Sequence, residues 1–517
     1  MLVPADYGLP EKFKEYRPNQ LEIAATANVS KKYAYLIDSP TGTGKSIIAA
    51  TIQRMSGNQA IYLTTTKQLQ DQLLADFPYA RTIKGRTNYK CLVYPKLFPR
   101  ISADTCTPEK MNYCPFKKGC PYVVAKTEAM LSCLPVLNIA YYLSEVNYLG
   151  DHSGFNNSKL LIIDEFDAVE DQLMNFVQLV ITQKRLDSLG LEPPKYKTKF
   201  DSWVDWAKKA IKVLEAQLHA LSVNHSDPWE TEKVEEIKKK TEIERLYSKL
   251  IYFVKHVNKN WVWYPEQTKW TFKPVWISDY SGTALWQHTS KVVGMSATIL
   301  DPLQVSANVG LGKDGRTYAY KALPSPFPKE NRPIYYNPVA DVTAKNMNVA
   351  LPAITKAIER IINENPNDKI LIHTVSYKIK QHLMDNIHSK RIISHSTFDR
   401  AEVLAKFKKS KDPLILISPS MDRGVDLPKE ECRVIIIAKM PYPSLGDPQI
   451  KKRIYGSRDG NRWYAHRTIS TIIQMSGRGV RSKDDYAKTY ILDKQFSKLY
   501  YEHSTFFPAW FKEAVVT

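Results

Sequence analysis

The run LIDSPTGTGKS, from Leu36 to Ser46, followed by the apolar stretch IIAATIQRM, limits the fold more than any other part of the chain. It orders a strand, a glycine-bearing loop and a helix without a break. That unit belongs to parallel α/β sheets, which bind ligands at the carboxyl ends of their strands. The loop Ser39-Pro40-Thr41-Gly42-Thr43-Gly44 can curl its N–H groups toward a triphosphate, and the helix N-terminus adds positive potential. Lys45 is placed to reach the β and γ phosphates, and Ser46 to ligate magnesium. Ser39 stands where a first glycine is usual; Gly44-Lys45-Ser46 is intact.

Further along, GNQAIYLTTT and KLLIIDEFD are short apolar runs rich in β-branched residues, as buried parallel strands are. A second set follows in DKILIHTVS, DPLILISPS, CRVIIIAKM and KTYILD, with helical periodicity between them in KQLQDQLLADF and ALPAITKAIERIINEN. The pattern predicts two parallel sheets flanked by helices. The interval Asp171–Ser290 breaks the rhythm: SWVDWAKKAIKVLEAQLHAL and EIERLYSKLIYFVKHV read as amphipathic helices without strands between them, an inserted helical domain. Trp261, Trp263, Trp270 and Trp276 cluster at its end, as packing at a domain joint or as a base-stacking surface. Pro324, Pro326, Pro328 and Pro333 mark the passage from one sheet to the other.

Asp164 and Glu165 follow the apolar run LLII, so both carboxylates should emerge at a strand's carboxyl end. Asp164 is a candidate magnesium ligand and Glu165 a candidate base for the attacking water. In QMSGRGVRSKDDY, Gln474, Arg478 and Arg481 share one face of a helix by spacings of three and four. They are candidates for holding the water and for neutralising the γ-phosphate across a cleft, which would put ATP between two domains.

Charge narrows the partner. The 517 residues carry 73 Lys and Arg against 53 Asp and Glu, and a surplus of +20 favours a polyanion, with nucleic acid first. No stretch reaches the roughly 18 apolar residues of a membrane span, and the start lacks the order of a signal peptide; a cytoplasmic protein is expected. Cys91, Cys106, Cys114 and Cys120 fall in the segment 84–126, which holds nine basic and two acidic residues. In a reducing compartment such a cluster points to metal or iron–sulfur ligation. Gaps of fourteen, seven and five residues contain no C-x-x-C pair, which argues against a zinc ribbon and leaves iron–sulfur, another zinc site and free thiols open. Cys133 and Cys432 lie in apolar runs and read as buried small hydrophobes.

With these residues in place, the chain resembles a superfamily 2 DNA helicase of the XPD and DinG group from about Tyr16 to Asp493. The motifs come in order: Tyr16-Arg17-Pro18 with Gln20, the phosphate loop, LTTTKQLQDQL, KGRTNYKC, the Asp-Glu box, Ser296-Ala297-Thr298, Ser325-Pro326-Phe327, HTVSY, GVDL at 424–427, PYPSLGDP and QMSGRGVR. The resemblance implies two RecA-like motor domains, 1–300 and 331–517, joined by 301–330. The first would carry an iron–sulfur insertion at 84–126 and an arch-like helical insertion at about 172–275. It further implies that Arg17 and Gln20 serve the adenine end of ATP and that Gly424 and Asp426 lie near the nucleotide. Asp167, Ser296 and Thr298 would couple hydrolysis to movement. The four cysteines would hold a four-iron four-sulfur cluster, and magnesium would sit between Ser46 and Asp164. The expected partner is single-stranded and forked DNA, tracked 5′ to 3′ by a monomer.

The chain also departs from the family. Asp164-Glu165-Phe166-Asp167 stands where Asp-Glu-Ala-His is usual, Arg423 precedes Gly424 where an acid is common, and no appended nuclease domain is expected. The compact layout hints at a phage or mobile-element protein, which would place it in a host cytoplasm. Two competing readings are a translocase that remodels protein–DNA or RNA complexes without unwinding, and a non-catalytic nucleic-acid-binding subunit.

Overall fold

The computed structural model describes the chain except for residues 1, 107–110, 112, 224–233, 422–424, 426, 481, 483 and 517. Its strands, numbered along the chain, are β1 (Ala34–Asp38), β2 (Ala60–Thr64), β3 (Arg81–Ile83), β4 (Pro135–Asn138), β5 (Leu160–Asp164), β6 (Leu179–Thr182), β7 (Trp261–Pro265), β8 (Lys269–Pro274), β9 (Val292–Ser296) and β10 (Tyr318–Ala322). They continue as β11 (Ile334–Ala340), β12 (Ile370–His373), β13 (Ile392–Ser394), β14 (Ile415–Ser418), β15 (Val434–Ile437), β16 (Lys488–Asp493) and β17 (Val515–Val516). One seven-stranded sheet has the order β10-β1-β9-β5-β2-β4-β3 and a second the order β13-β14-β12-β15-β16-β11-β17. Every pairing in both is parallel. The expected doubled α/β fold is present.

Alternation explains why these runs are strands although neither face meets water. Ala34 and Leu36 of β1 and Leu161 and Ile163 of β5 enter the core on one side of the first sheet. Tyr35, Ile37, Leu160 and Ile162 enter a separate core on the other. Helices cover both faces, so a continuous apolar run serves both cores. Because β1, β9 and β5 are neighbours, Ser39, Ser296 and Asp164 end up side by side at the sheet's carboxyl edge.

Two expectations need correction. The interval after Asp171 does hold two long helices, Phe200–Val223 and Val234–His256, but also a three-stranded antiparallel sheet of order β6-β8-β7. Aromatic alternation made those strands: Trp270 and Phe272 point into the core against Trp203 and Phe253, and Trp263 stacks on Phe272. Trp261 is buried as well, so three of the four tryptophans pack at or near this sheet. The second correction concerns the passage at 301–330. Its first part carries the helix Pro302–Asn308 and β10, which pairs with β1, so the first sheet is completed beyond residue 300. The stretch between the sheets is 323–333. Among the described residues no helix is long and apolar enough to cross a membrane.

Candidate functional site

Gly42 and Gly44 adopt φ of +80° and +79°, where glycine carries no penalty, and the helix Lys45–Ser56 starts immediately after. A Cβ at Gly44 would fall 2.3 Å from Gln20 Nε2. Gln20 Nε2 donates to the Thr43 carbonyl at 2.6 Å, Gln20 Oε1 accepts from Arg17 N–H at 2.8 Å, and Arg17 Nη1 donates to the Gly42 carbonyl. Arg17 and Gln20 thus grip the loop from outside. The departure at Ser39 is explained locally: its hydroxyl hydrogen-bonds the Thr43 hydroxyl, which also donates to the Pro40 carbonyl at 2.8 Å. A side chain here pins the turn that a glycine would leave free. Lys45 Nζ is 3.5 Å from the Ser39 carbonyl, and Ser46 is half-buried at the next helical position.

Asp164 ends β5 and accepts from Tyr62 Oη at 3.3 Å and from Glu165 N–H at 3.0 Å. Glu165 has a left-handed backbone, φ 52°, a conformation seldom taken by residues other than glycine and often found where strain serves a site. Burial pushes both carboxyls above their ordinary range, and the Lys45 ammonium opposes the shift. The Arg478 guanidinium also acts on Glu165, so the two residues are within electrostatic reach across the sheets.

The third acid of the box makes the most direct connection. Asp167 Oδ1 accepts from Ser296 Oγ at 2.6 Å and Oδ2 from Gln474 Nε2 at 2.8 Å. Gln474 Nε2 also reaches Thr298 Oγ1 at 3.0 Å. Gln474 belongs to the helix Gly460–Ser476 of the second sheet, so one side-chain amide joins the expected coupling trio to the other half. An aspartate suits this contact because it presents two acceptors to a hydroxyl and an amide donor. Arg478 Nη1 donates to the Val425 carbonyl at 2.7 Å. Arg481, Gly424 and Asp426 lie outside the described residues.

Sequence reasoning missed a strip beside this bridge. On the helix Val169–Val177, Glu170 pairs with Arg453 and Asp171 with Arg467 at 2.6 Å. Arg453 lies between the rings of Trp276 and Trp463, 4.5 Å from each. The acids are visible in sequence, but their partners lie nearly three hundred residues away.

The cysteine segment is built differently. Between β3 and β4 it has short 3-10 turns at Arg86–Asn88, Pro95–Leu97, Ala103–Thr105 and Lys117–Gly119, then the helix Pro121–Leu131 directly after Cys120. Cys91, Cys106, Cys114 and Cys120 are half-buried and line one cavity, together with Met111, Val123 and Ile237 among others. Burial and the three neighbouring thiols push the Cys106 thiol up to about 11. Among the described residues no three or more His, Cys, Asp or Glu side chains form a group that could hold a metal ion. Arg86 ties the segment to the first sheet: it donates to the Cys106 carbonyl at 3.1 Å and faces the buried Glu145, which Lys126 contacts at 2.6 Å. Arg245 pairs with Asp104 at 2.7 Å, bringing the helix Val234–His256 against the segment. Of the aromatics here, Tyr122 is buried and Tyr89 packs on it, whereas Phe98, Tyr113 and Phe116 are exposed. Cys432 is fully buried and Cys133 packs on the core behind the first sheet.

Two family models match the chain: DEAD/DEAH box helicase over residues 17–200 and Helicase C-terminal domain over 358–514. A probable ATP-dependent helicase of Methanocaldococcus jannaschii is 23% identical over 91% of this chain and 90% of its own length. An ATP-dependent DNA helicase, YoaA, of Haemophilus influenzae is 22% identical over 94% and 92%. Among solved structures, an XPD helicase aligns with a TM-score of 0.66 at 14% identity, covering 95% of this chain and 98% of that one. Xpd4 of S. tokodaii aligns at 0.60 and 16% identity, covering 96% and 99%.

Proposed function

Since the chain belongs to the superfamily 2 helicases of the XPD and DinG type, and so is an ATP-hydrolysing helicase, we propose that it unwinds DNA by moving 5′ to 3′ on one strand. The observation that carries this reading is the Asp167–Gln474–Thr298 bridge, which links the acids at the end of β5 to the second sheet. A γ-phosphate lost between the sheets would be felt at both ends of that bridge.

In this reading the phosphate loop from Pro40 to Gly44 cradles the triphosphate, and Lys45 neutralises its β and γ oxygens. Glu165, held near Lys45 and in the field of Arg478, accepts a proton from the attacking water; its raised proton affinity favours that step. Arg478, with Arg481, offsets charge that builds on the γ-phosphate. Magnesium, held by Ser46 and Asp164, would supply Lewis-acid neutralisation of the phosphates. Arg17, Gln20, Gly424 and Asp426 complete the nucleotide's surroundings. Gln474 relays the state of the site to Asp167, Ser296 and Thr298 rather than standing apart from them.

The thiols of Cys91, Cys106, Cys114 and Cys120 would hold a four-iron four-sulfur cluster, whose role is to fix a segment that has little regular structure of its own. Exposed Tyr113, Phe116 and Phe98 beside Lys96, Arg100, Lys117 and Lys118 suit a single strand, with rings for bases and cations for phosphates. Segments 84–126 and 172–275 are read as insertions in the first motor domain that flank the strand's path. Strand displacement on 5′-tailed and 3′-tailed duplexes, in DNA and in RNA, tests the proposal. Displacement of 5′-tailed DNA alone is expected; ATP turnover stimulated by DNA without displacement would instead favour a translocase.

A further inference from the structure

The stretch 323–333 between the sheets is fixed at both ends. Leu323 N–H donates to the Asp38 carbonyl of β1 at 2.8 Å. Arg332 reaches the Trp510 carbonyl and the Glu513 carboxylate near β17, at the edge of the second sheet. Between these anchors stands Phe327, with a proline on either side restricting its backbone. Its N–H donates to Ser325 Oγ at 3.3 Å and its carbonyl accepts from Arg332 Nε at 3.1 Å.

The ring held in this way is 6% exposed and bears on two loops at once. A Cβ built at Gly42 would lie 2.1 Å from Phe327 Cζ, so the ring rests directly on the α-carbon of the phosphate loop. Phe327 also packs with Val480 and Ala487 in a small core separate from the main ones. Val480 follows Arg478 by two residues, and a Cβ at Gly477, where that turn begins, would meet Thr41 Oγ1 at 3.8 Å. One rigid side chain, carried on backbone tied to the second sheet, therefore spaces the phosphate loop from the turn that carries Arg478.

We infer that Phe327 is a positioning residue for ATP turnover, a spacer that sets the separation between Gly42 and the Arg478 turn. The inference rests on the reading of Arg478 as the γ-phosphate's partner. An aromatic ring packed against both loops transmits displacement instead of absorbing it, and a small error in the placement of a charge-stabilising group is felt mainly in the rate of the chemical step. The ring's contacts join Gly42 of the phosphate loop to Val480, two residues beyond Arg478.

The test uses the full chain with saturating single-stranded DNA and compares Phe327→Ala, Phe327→Leu, Val480→Ala and the Phe327→Ala/Val480→Ala pair. Phe327→Ala should lower kcat by about 10- to 100-fold, while affinity for a fluorescent ATP analogue stays within about threefold, below the tenfold that 1.4 kcal/mol represents. Phe327→Leu should recover most of the loss, and the double variant should be no slower than Phe327→Ala, since neighbours acting through one contact are not additive. The inference is overturned if Phe327→Ala keeps wild-type kcat, if nucleotide affinity falls in step with kcat, or if leucine rescues nothing. Arg478→Ala separates the two levels. Normal turnover in that variant removes the reading and the inference with it, whereas lost turnover there beside a normal Phe327→Ala removes the inference alone.

Discussion

The nucleotide site and the cysteine segment lie on the same sheet and are built by opposite means. Around the phosphate loop, strand ends, two positive-φ glycines and a grid of hydrogen bonds from Gln20, Arg17, Ser39 and Thr43 fix the geometry with protein atoms alone. Around the four cysteines there are short turns, a cavity and ion pairs from Arg86, Lys126 and Arg245. The first site is preorganised by its backbone. The second lines a cavity with its thiols and carries little regular structure. If the thiols hold the proposed cluster, ATP turnover and strand displacement can be lost separately.

The largest expected effect tests the rigid half. Glu165→Gln should keep ATP affinity while turnover falls by about a thousandfold, within the range general bases and charge stabilisers contribute; preserved turnover would remove Glu165 as the base. Next, Cys114→Ser should bleach the visible absorption at roughly 400 nm expected of iron–sulfur charge transfer and abolish strand displacement, with ATP turnover largely spared. Equal loss of both activities would erase the distinction between the two regions, and a colourless wild type purified without oxygen would move the thiols to zinc. A third variant, Asp167→Ala, strands the hydroxyl of Ser296 and one contact of Gln474, at a cost of about 1–3 kcal/mol. It should lower the melting temperature and weaken DNA stimulation of ATP turnover, while Asp167→Asn should recover much of the stability. The smallest effect belongs to the exposed rings: Tyr113→Ala and Phe116→Ala should each weaken single-strand binding by about 1 kcal/mol, the lower end of base stacking. Unchanged affinity in both would move the strand's path away from this face.

The strands were legible because continuous apolar, β-branched runs mark strands buried on both faces: Ile370, Ile372, Val434 and Ile436 face one core while Leu371 and Ile435 face another. Lys45, Asp164 and Glu165 were legible because a loop's glycines and an acidic strand end are local signals. The antiparallel sheet β6-β8-β7 was not, because its aromatic alternation resembles joint packing and lies beside two long charged helices. Gln474 was found, but not its partner: an amide on a helix does not announce an aspartate three hundred residues earlier. Phe327 stood inside a recognisable tripeptide, yet its contact with Gly42 exists only once two sheets and the passage between them have folded.

The cation between Trp276 and Trp463 has a mechanical consequence. Arg453 belongs to the helix Pro448–Gly456 of the second half, yet it donates to the Val275 carbonyl at 2.6 Å and pairs with Glu170. Beside it Gln449 donates to the Pro274 carbonyl at 2.6 Å and Asp447 accepts from Lys273 at 2.7 Å. The segment between β5 and β9 is thus covalently rooted in one half and clasped, at the end of β8, by the other. Parting Arg453 from Glu170 while both stay buried would leave an uncompensated charge, so the clasp resists slipping. A displacement of one half against the other would load this segment at both its root and its clasp.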